Sequence, residues 1–175
     1  MKFSLDHAVE ILSQTPVTLS SLLSGLSAPW INNNEGVQTW SPFDVVGHLI
    51  HGERTDWMPR LKIILELGES RPFDPFDRFA QFEASKSKSL SELLETFATL
   101  RRQNLATLKQ LNLTEEHFKL KGTHPDFGSV TLGQLLATWV VHDLDHLGQI
   151  ARVLAKQYKA EVGPWINYLS ILTSR

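Results

Sequence analysis

Apolar side chains recur at helical spacing along most of the chain, and turn-forming residues separate the segments that carry them. The first segment predicts a helix from a cap at Ser4 to about Leu23. Pro16 must lie at a kink or a split in this helix, because proline has no backbone N–H to donate. The apolar positions that define the helix are Leu5, Ala8, Val9, Leu12, Leu19 and Leu22.

A second predicted helix begins after Ser41, which can cap it, with Pro42 in its first turn. It runs to about Leu67, and the interior Pro59 should bend it by removing one backbone hydrogen bond. The proline- and phenylalanine-rich residues 71–79 then predict an extended crossover. Three phenylalanines in this stretch are too apolar for a free linker, so we expect the crossover to be pinned to the core.

The third predicted helix starts near Ser89 or Ser91 and ends near Leu111. Its apolar face consists of Leu93, Leu94, Phe97, Leu100, Leu105 and Leu108. Residues 113–129 are dense in turn formers and are interpreted as a loop with room for a short pair of extended segments.

The fourth predicted helix spans about Thr131 to Gln157 and opens on a capping box of Thr131 and Gln134. A short final helix from Trp165 to Thr173 should dock on the bundle through its apolar face. Four long amphipathic helices and one long crossover, with almost no alternating strand pattern, favour an all-α fold. The predicted architecture is a four-helix bundle with a short extra C-terminal helix.

Composition fits one domain over residues 1–175, since the chain is 42% hydrophobic and 21% charged. Seventeen basic residues against nineteen acidic ones leave no electrostatic footprint for nucleic acid. The absence of cysteine excludes disulfides and thiolate ligands, and no stretch resembles a signal peptide or a membrane span. A cytoplasmic protein is expected. Charged residues predicted to lie on solvated faces include Glu10, Lys86, Lys88, Arg101 and Arg102.

The candidate chemistry centres on His142 and His146, which lie one turn apart on one face of the fourth helix. Both imidazoles can reach one metal ion, and zinc, nickel and iron all accept neutral imidazole. Such a pair also arises often by chance, and two ligands make a weak site. Trp139, on the same face, is interpreted as a core residue.

A third ligand could come from His48 or His51 on the second helix. His48 lies at the edge of the apolar arc, and the missing side chain of Gly52 one turn away would leave room for a ligand or substrate. His51 lies on what looks like the solvated side. The periodicity favours His48 but leaves both candidates open.

Several motifs, taken together and in order, resemble the DinB-like superfamily, in particular its DinB-like or YfiT-like branch of metal-dependent hydrolases. They are Trp40-Ser41-Pro42 leading to His48-Leu49-Ile50, the crossover from Pro72 to Ala80, Phe127-Gly128 before Thr131-Leu132, His142-Asp143-Leu144-Asp145-His146-Leu147-Gly148-Gln149, and Val162-Gly163-Pro164-Trp165. The resemblance covers nearly the whole chain. It implies an up-down-down-up four-helix bundle, commonly a homodimer, with a divalent metal held by three histidines.

Carried over residue by residue, the implied metal ligands are His48, His142 and His146. Three imidazoles with open positions suit catalysis, by hydrolysis or by activation of a low-molecular-weight thiol, on a small-molecule substrate. The alternative is a non-catalytic metal-binding or stress-response dimer. The carboxylates available as outer partners of the ligands are Asp145, Asp143, Glu53 and Asp56. The sequence assigns neither a catalytic residue nor a substrate.

Overall fold

The computed structural model describes residues 1–173, within which helices account for most of the ordered backbone. The helices are α1 (Leu5–Leu23), α2 (Ala28–Asn32), α3 (Pro42–Thr55), α4 (Trp57–Glu66), α5 (Ala80–Ser85), α6 (Leu90–Gln110) and α7 (Leu132–Lys156). Two strands, β1 (Lys121–His124) and β2 (Gly128–Thr131), form an antiparallel hairpin that leads into α7. Short 3-10 segments lie at Gly68–Ser70, His117–Lys119, Gly163–Tyr168 and Ser170–Leu172.

The four long elements α1, α3, α6 and α7 form the expected up-down-down-up bundle. Both α1 and α3 pack against α6, and both also pack against α7. The long connection from α3 to α6 runs outside the bundle and carries α4, the crossover and α5. Among the described residues, no helix combines the length and apolar character needed to cross a membrane.

Local signals place the beginnings of the long helices. Ser41 accepts a hydrogen bond from the Asp44 amide, and the Asp44 carboxylate accepts one from the Ser41 amide, which is a complete capping box for α3. Equivalent pairs open α6 and α7, at Ser89 with Glu92 and at Thr131 with Gln134. These caps fix where each helix starts and therefore which residues face the bundle interior.

The second predicted helix is divided into α3 and α4 at Asp56, three residues before Pro59. Because Pro59 cannot donate to the carbonyl of Thr55, the helical hydrogen-bond pattern is interrupted there. In contrast, Pro16 lies inside an unbroken α1. The proline in the first helix is therefore accommodated, whereas the one in the second separates two elements.

The crossover is pinned to the core as expected, but only through part of its aromatic content. Phe73 is buried at 2% exposure, and its amide donates to the carbonyl of Thr123 at 2.9 Å. Phe76 is half-buried, whereas Phe79 is 72% exposed. The C-terminal helix also differs from the expectation, since it consists of 3-10 segments and Trp165 is 70% exposed. Its apolar face was expected to consist of Trp165, Ile166, Leu169 and Leu172, and of these four residues Leu172 alone is buried.

Arg101 contradicts the prediction of a solvated face, because it is 1% exposed in the centre of the bundle. Its guanidinium lies between two apolar clusters, one containing Leu12 and Trp139 and the other containing Phe97. Arg101 binds Glu53 of α3 at 2.7 Å and Asp143 of α7 at 2.6 Å. Three of the long helices are thus joined by one buried ionic cluster.

Candidate metal centre

Three histidine side chains converge at the wall of the bundle. His48 lies in the second turn of α3, while His142 and His146 lie one turn apart on α7. The Nε2 atom of His142 is 3.1 Å from Nε2 of His48 and 3.1 Å from Nε2 of His146. His48 and His146 are buried, and His142 is half-buried.

The other four histidines lie outside this group. His51, the alternative to His48, is half-buried on α3 and packs its ring against Phe76. His7 is exposed on α1, and His117 and His124 belong to the segment between α6 and α7. The three residues that the family resemblance implied are the ones that the fold brings together.

The spacing of these nitrogens fits a divalent ion. An ion that binds imidazole nitrogens at about 2.0–2.1 Å keeps two of them roughly 3.0–3.4 Å apart, depending on its geometry. The observed separations of 3.1 Å fall in that range, and the three ligand atoms all lie within 4.8 Å of one another. The donor set of three imidazoles suits zinc, nickel or iron.

The protonation of His146 also suits metal binding. Its Nδ1 lies 2.7 Å from Oε1 of Gln149, and because the amide oxygen accepts, the ring nitrogen donates. The proton on Nδ1 leaves a lone pair on Nε2, the atom that faces the other two imidazoles. Gln149 was missed by the sequence analysis, although its position three residues after His146 on a helix places the two on one face.

Burial keeps all three imidazoles neutral near neutral pH. Desolvation, assisted by repulsion from His146, lowers the pKa of His48 to about 3. The same two causes lower the pKa of His142 to about 2. Burial also lowers the pKa of His146, while the side chain of Gln149 acts in the opposite direction. Neutral imidazoles keep the lone pairs that a metal requires.

The metal-free protein is therefore expected to lose stability as the pH falls below ~6.5, the ordinary pKa of histidine in an unfolded chain. Each folded-state pKa lies below that value, so the unfolded state takes up protons first and becomes favoured. The loss should be on the order of 1–2 kcal/mol per pH unit. Urea unfolding with a chelator present, between about pH 7 and about pH 5, measures it. The slope should be smaller in His142→Ala, and an unfolding free energy that stays constant over this range would contradict the expectation.

The three histidines border a cleft of about 770 Å³, a volume in the range typical of small-molecule sites. Aromatic side chains line much of it, namely Trp40, Trp57, Phe73, Phe76 and Phe127. Polar groups on the cleft walls include Asp56, Arg60, Arg78, His124 and Asp145. The cleft combines an apolar surface with a few charged groups close to the three imidazoles.

Trp40 and Gly52 shape the cleft next to the imidazoles. The indole of Trp40 lies with its centroid 4.7 Å from that of His48 and 6.3 Å from that of His146. Gly52 borders the cleft, as the sequence suggested. A Cβ atom on Gly52 would lie 3.3 Å from Nε1 of Trp57, which is a tight contact. In the sequence analysis, Trp40 was named only as part of a motif of the family resemblance, and no local signal placed it over the histidines.

Among the residues that the structure describes, none of the available carboxylates is hydrogen-bonded to one of the three imidazoles. In the sequence analysis, four carboxylates were offered as outer partners of the ligands, namely Asp145, Asp143, Glu53 and Asp56. Within residues 1–173, Asp143 and Glu53 instead bind Arg101. Asp56 lies 2.6 Å from Arg60, and burial raises the pKa of Asp56 even though Arg60 acts against it. The fourth carboxylate is exposed on the cleft wall.

The fold and the cleft define a class of protein, a four-helix bundle with a three-histidine group that could hold a divalent metal. The chain belongs to the DinB superfamily, whose profile matches residues 11–150. It is similar to the solved structure of YfiT from Bacillus subtilis, with a TM-score of 0.74 and 25% sequence identity over 89% of each chain. YfiT is described as a probable metal-dependent hydrolase with an unusual four-helix bundle topology. None of the curated proteins compared with the chain matches it.

Proposed function

We propose that the protein is a metal-dependent enzyme, a hydrolase or a thiol transferase for small molecules, with His48, His142 and His146 as its metal ligands. The observation that carries the proposal is the convergence of three Nε2 atoms from two helices at the wall of a cleft. A bound divalent ion supplies Lewis-acid chemistry, since it lowers the pKa of water or a thiol towards neutrality and polarises a substrate carbonyl. The probable activity of YfiT supports the same class of reaction.

The residues of the cleft support this role through binding and exclusion of water. Trp40 covers one side of the imidazoles, and Phe76 lies with its ring centroid 5.3 Å from that of His48. These apolar rings limit the access of bulk water and strengthen electrostatic interactions inside the cleft. Three protein ligands leave open positions for a substrate, as is usual in catalytic rather than structural sites.

The guanidinium of Arg78 on the cleft wall suits a substrate with an apolar body and one anionic group, whereas Asp126 and Asp145 on the same walls disfavour a second anionic group. Arg60 is paired with Asp56, so its charge is offset. Arg78 has no ion-pair or hydrogen-bond partner within residues 1–173, and it lies close enough to His48 to contribute to the lowering of its pKa. An exposed guanidinium of this kind is suited to bind a carboxylate or phosphate.

Turnover should depend on the metal and should be lost on chelation. The test loads the metal-free protein with zinc, nickel or iron(II) in turn and measures hydrolysis of aryl acetates and aryl hemisuccinates, and transfer of low-molecular-weight thiols to an aryl halide. We expect activity with at least one metal, and a preference for the anionic hemisuccinate over the neutral acetate because of Arg78. A protein that binds metal, gains melting temperature and turns over none of these compounds would instead support the non-catalytic alternative.

The proposal also includes a homodimer and a cytoplasmic location. Val141 and Leu144 lie three residues apart on α7, and they are 63% and 47% exposed. A second copy of the chain would cover such an apolar surface. Sedimentation equilibrium measures the association directly. A chain without cysteine needs no oxidising compartment to fold, which is compatible with a cytoplasmic location.

A further inference from the structure

A buried polar group behind His48 has no partner. The Nε2 atom of His48 faces His142, whereas its Nδ1 atom points away from the three-histidine group. Within residues 1–173, this Nδ1 is inaccessible to solvent and makes no hydrogen bond. A neutral imidazole that offers its Nε2 lone pair to a metal carries its proton on Nδ1, so this atom requires an acceptor.

Gln81 of α5 presents a second unpaired group. Its side chain is 1% exposed, and neither Oε1 nor Nε2 has a hydrogen-bond partner within the described part of the chain. An unsatisfied buried donor or acceptor costs about 1–3 kcal/mol, so an amide with two such atoms destabilises the fold until it gains a hydrogen-bond partner.

The packing of α5 brings Gln81 against the helix that carries His48. A Cβ atom on Gly47, the residue before His48, would lie 2.7 Å from Oγ of Ser85 and 3.7 Å from Cβ of Gln81. The glycine therefore allows α5 to approach the backbone of α3 closely. The amide of Gln81 also acts on the imidazole, since it raises the pKa of His48 against the larger lowering caused by burial.

His146 shows the arrangement that His48 lacks. Its Nδ1 donates to Oε1 of Gln149 at 2.7 Å, which fixes the tautomer that directs the Nε2 lone pair at the other imidazoles. A glutamine thus already orients one of the three proposed ligands. Gln81 offers the same kind of acceptor to His48 from a different helix. The amide of Gln81 and Nδ1 of His48 are neighbours, but no hydrogen bond joins them in this structure.

We propose that Gln81 is the positioning residue of His48: its Oε1 accepts a hydrogen bond from Nδ1–H, and this bond forms when a divalent ion holds the Nε2 atom. The inference rests on the proposed three-histidine metal site. It assigns to α5 and the crossover a role in the metal centre, because they bring Gln81 to the outer face of the ligand helix. Gln81 acts through His48 and does not touch the substrate.

The experiment measures the zinc affinity of three variants by competition with a chromophoric chelator. Gln81→Leu should weaken zinc binding by ~10–100-fold, the usual effect of losing the outer partner of a ligating histidine. Gln81→Glu retains an acceptor and should restore binding. Gln103→Leu, at an exposed glutamine of α6, is the control and should leave the affinity unchanged.

Two further readouts separate positioning from a structural role. The metal-free Gln81→Leu protein should be at least as stable as the parent, because an unpaired buried amide is removed. Long-range proton–nitrogen NMR of zinc-loaded parent protein should show His48 protonated at Nδ1, with the Nδ1 proton in a hydrogen bond that is absent from Gln81→Leu. Unchanged zinc affinity in Gln81→Leu would overturn the role of Gln81 alone. A parent protein that binds no zinc, nickel or iron(II) would overturn the proposed function and this inference with it.

Discussion

Arg101→Met is expected to lower the free energy of unfolding by ~3–5 kcal/mol, the usual consequence of removing one partner from a buried ion pair. The guanidinium uses all five of its N–H donors. Nε donates to Glu53, Nη1 to Asp143 and the carbonyl of Leu12, and Nη2 to both carboxylates. Without it, two carboxylates of 0% side-chain exposure would remain in the apolar interior.

The neighbouring polar side chains cannot replace the positive charge of Arg101. Trp139 Nε1 and Asn104 Nδ2 also donate to the carboxylate of Glu53, at 3.0 and 2.9 Å, but both are neutral. Burial alone would lower the pKa of Arg101, yet Asp143 and Glu53 raise it above its usual value. The arginine therefore stays charged and holds α3, α6 and α7 together.

Urea unfolding near neutral pH tests this expectation. Arg102→Met, at the exposed neighbour on the same helix, is the matched control and should change the unfolding free energy by less than about 0.5 kcal/mol. Replacing Arg101, Glu53 and Asp143 together by apolar residues should recover much of the stability, because no charge is then left unpaired. Equal effects of Arg101→Met and Arg102→Met would show that the cluster contributes nothing.

The buried cluster was missed because each charged residue was judged by its type and not by its position. Arg101 lies four residues after Phe97 and seven before Leu108, on the apolar face of α6. Asp143 follows Trp139 by four residues on α7 in the same way. A charged residue on the apolar face of a helix indicates a buried ion pair, and α3, α6 and α7 each carry one such residue. Which charges meet depends on helix packing, which no single helix reveals.

Features determined within a few residues were predicted well. The capping boxes of α3, α6 and α7 depend on side chains only three positions apart, so the helix starts could be located from sequence. The position of His142 and His146 on one face follows from helix geometry alone. The second helix was predicted to run to about Leu67 with a bend caused by Pro59, whereas the structure divides it at Asp56, because the effect of Pro59 falls on the carbonyl four residues earlier.

Features that depend on distant parts of the chain could not be predicted from local pattern. The periodicity of α3 favoured His48, at the edge of its apolar arc, over His51 on the solvated side, but it left both candidates open. The fold distinguishes them by where α7 packs, which places His142 against His48. Likewise, Gln81 has no sequence feature that links it to α3, since α5 reaches that helix only through the crossover.

His142→Ala is expected to abolish specific binding of divalent metal, with a loss exceeding the ~10–100-fold that follows removal of an outer partner. The Nε2 atom of His142 lies 3.1 Å from the corresponding atoms of both His48 and His146, so it is the central member of the group. Its removal leaves two imidazoles on different helices, which cannot provide the donor set of the proposed site.

Zinc-induced stabilisation provides the measurement, because a ligand that binds only the folded state raises the unfolding free energy by RT ln(1 + [L]/Kd). At a free zinc concentration about 1,000 times the parent Kd, the parent should gain about 4 kcal/mol and His142→Ala less than about 1.5 kcal/mol. His51→Ala is the matched control, since His51 lies on α3 beside the site but outside the group, and it should keep the full gain. If zinc stabilised parent and His142→Ala equally, or no longer stabilised His51→Ala, the metal would not bind at the three histidines. Retention by His51→Ala with loss in His142→Ala would place the metal on the histidines that two helices bring together, and that result holds whichever reaction the cleft performs.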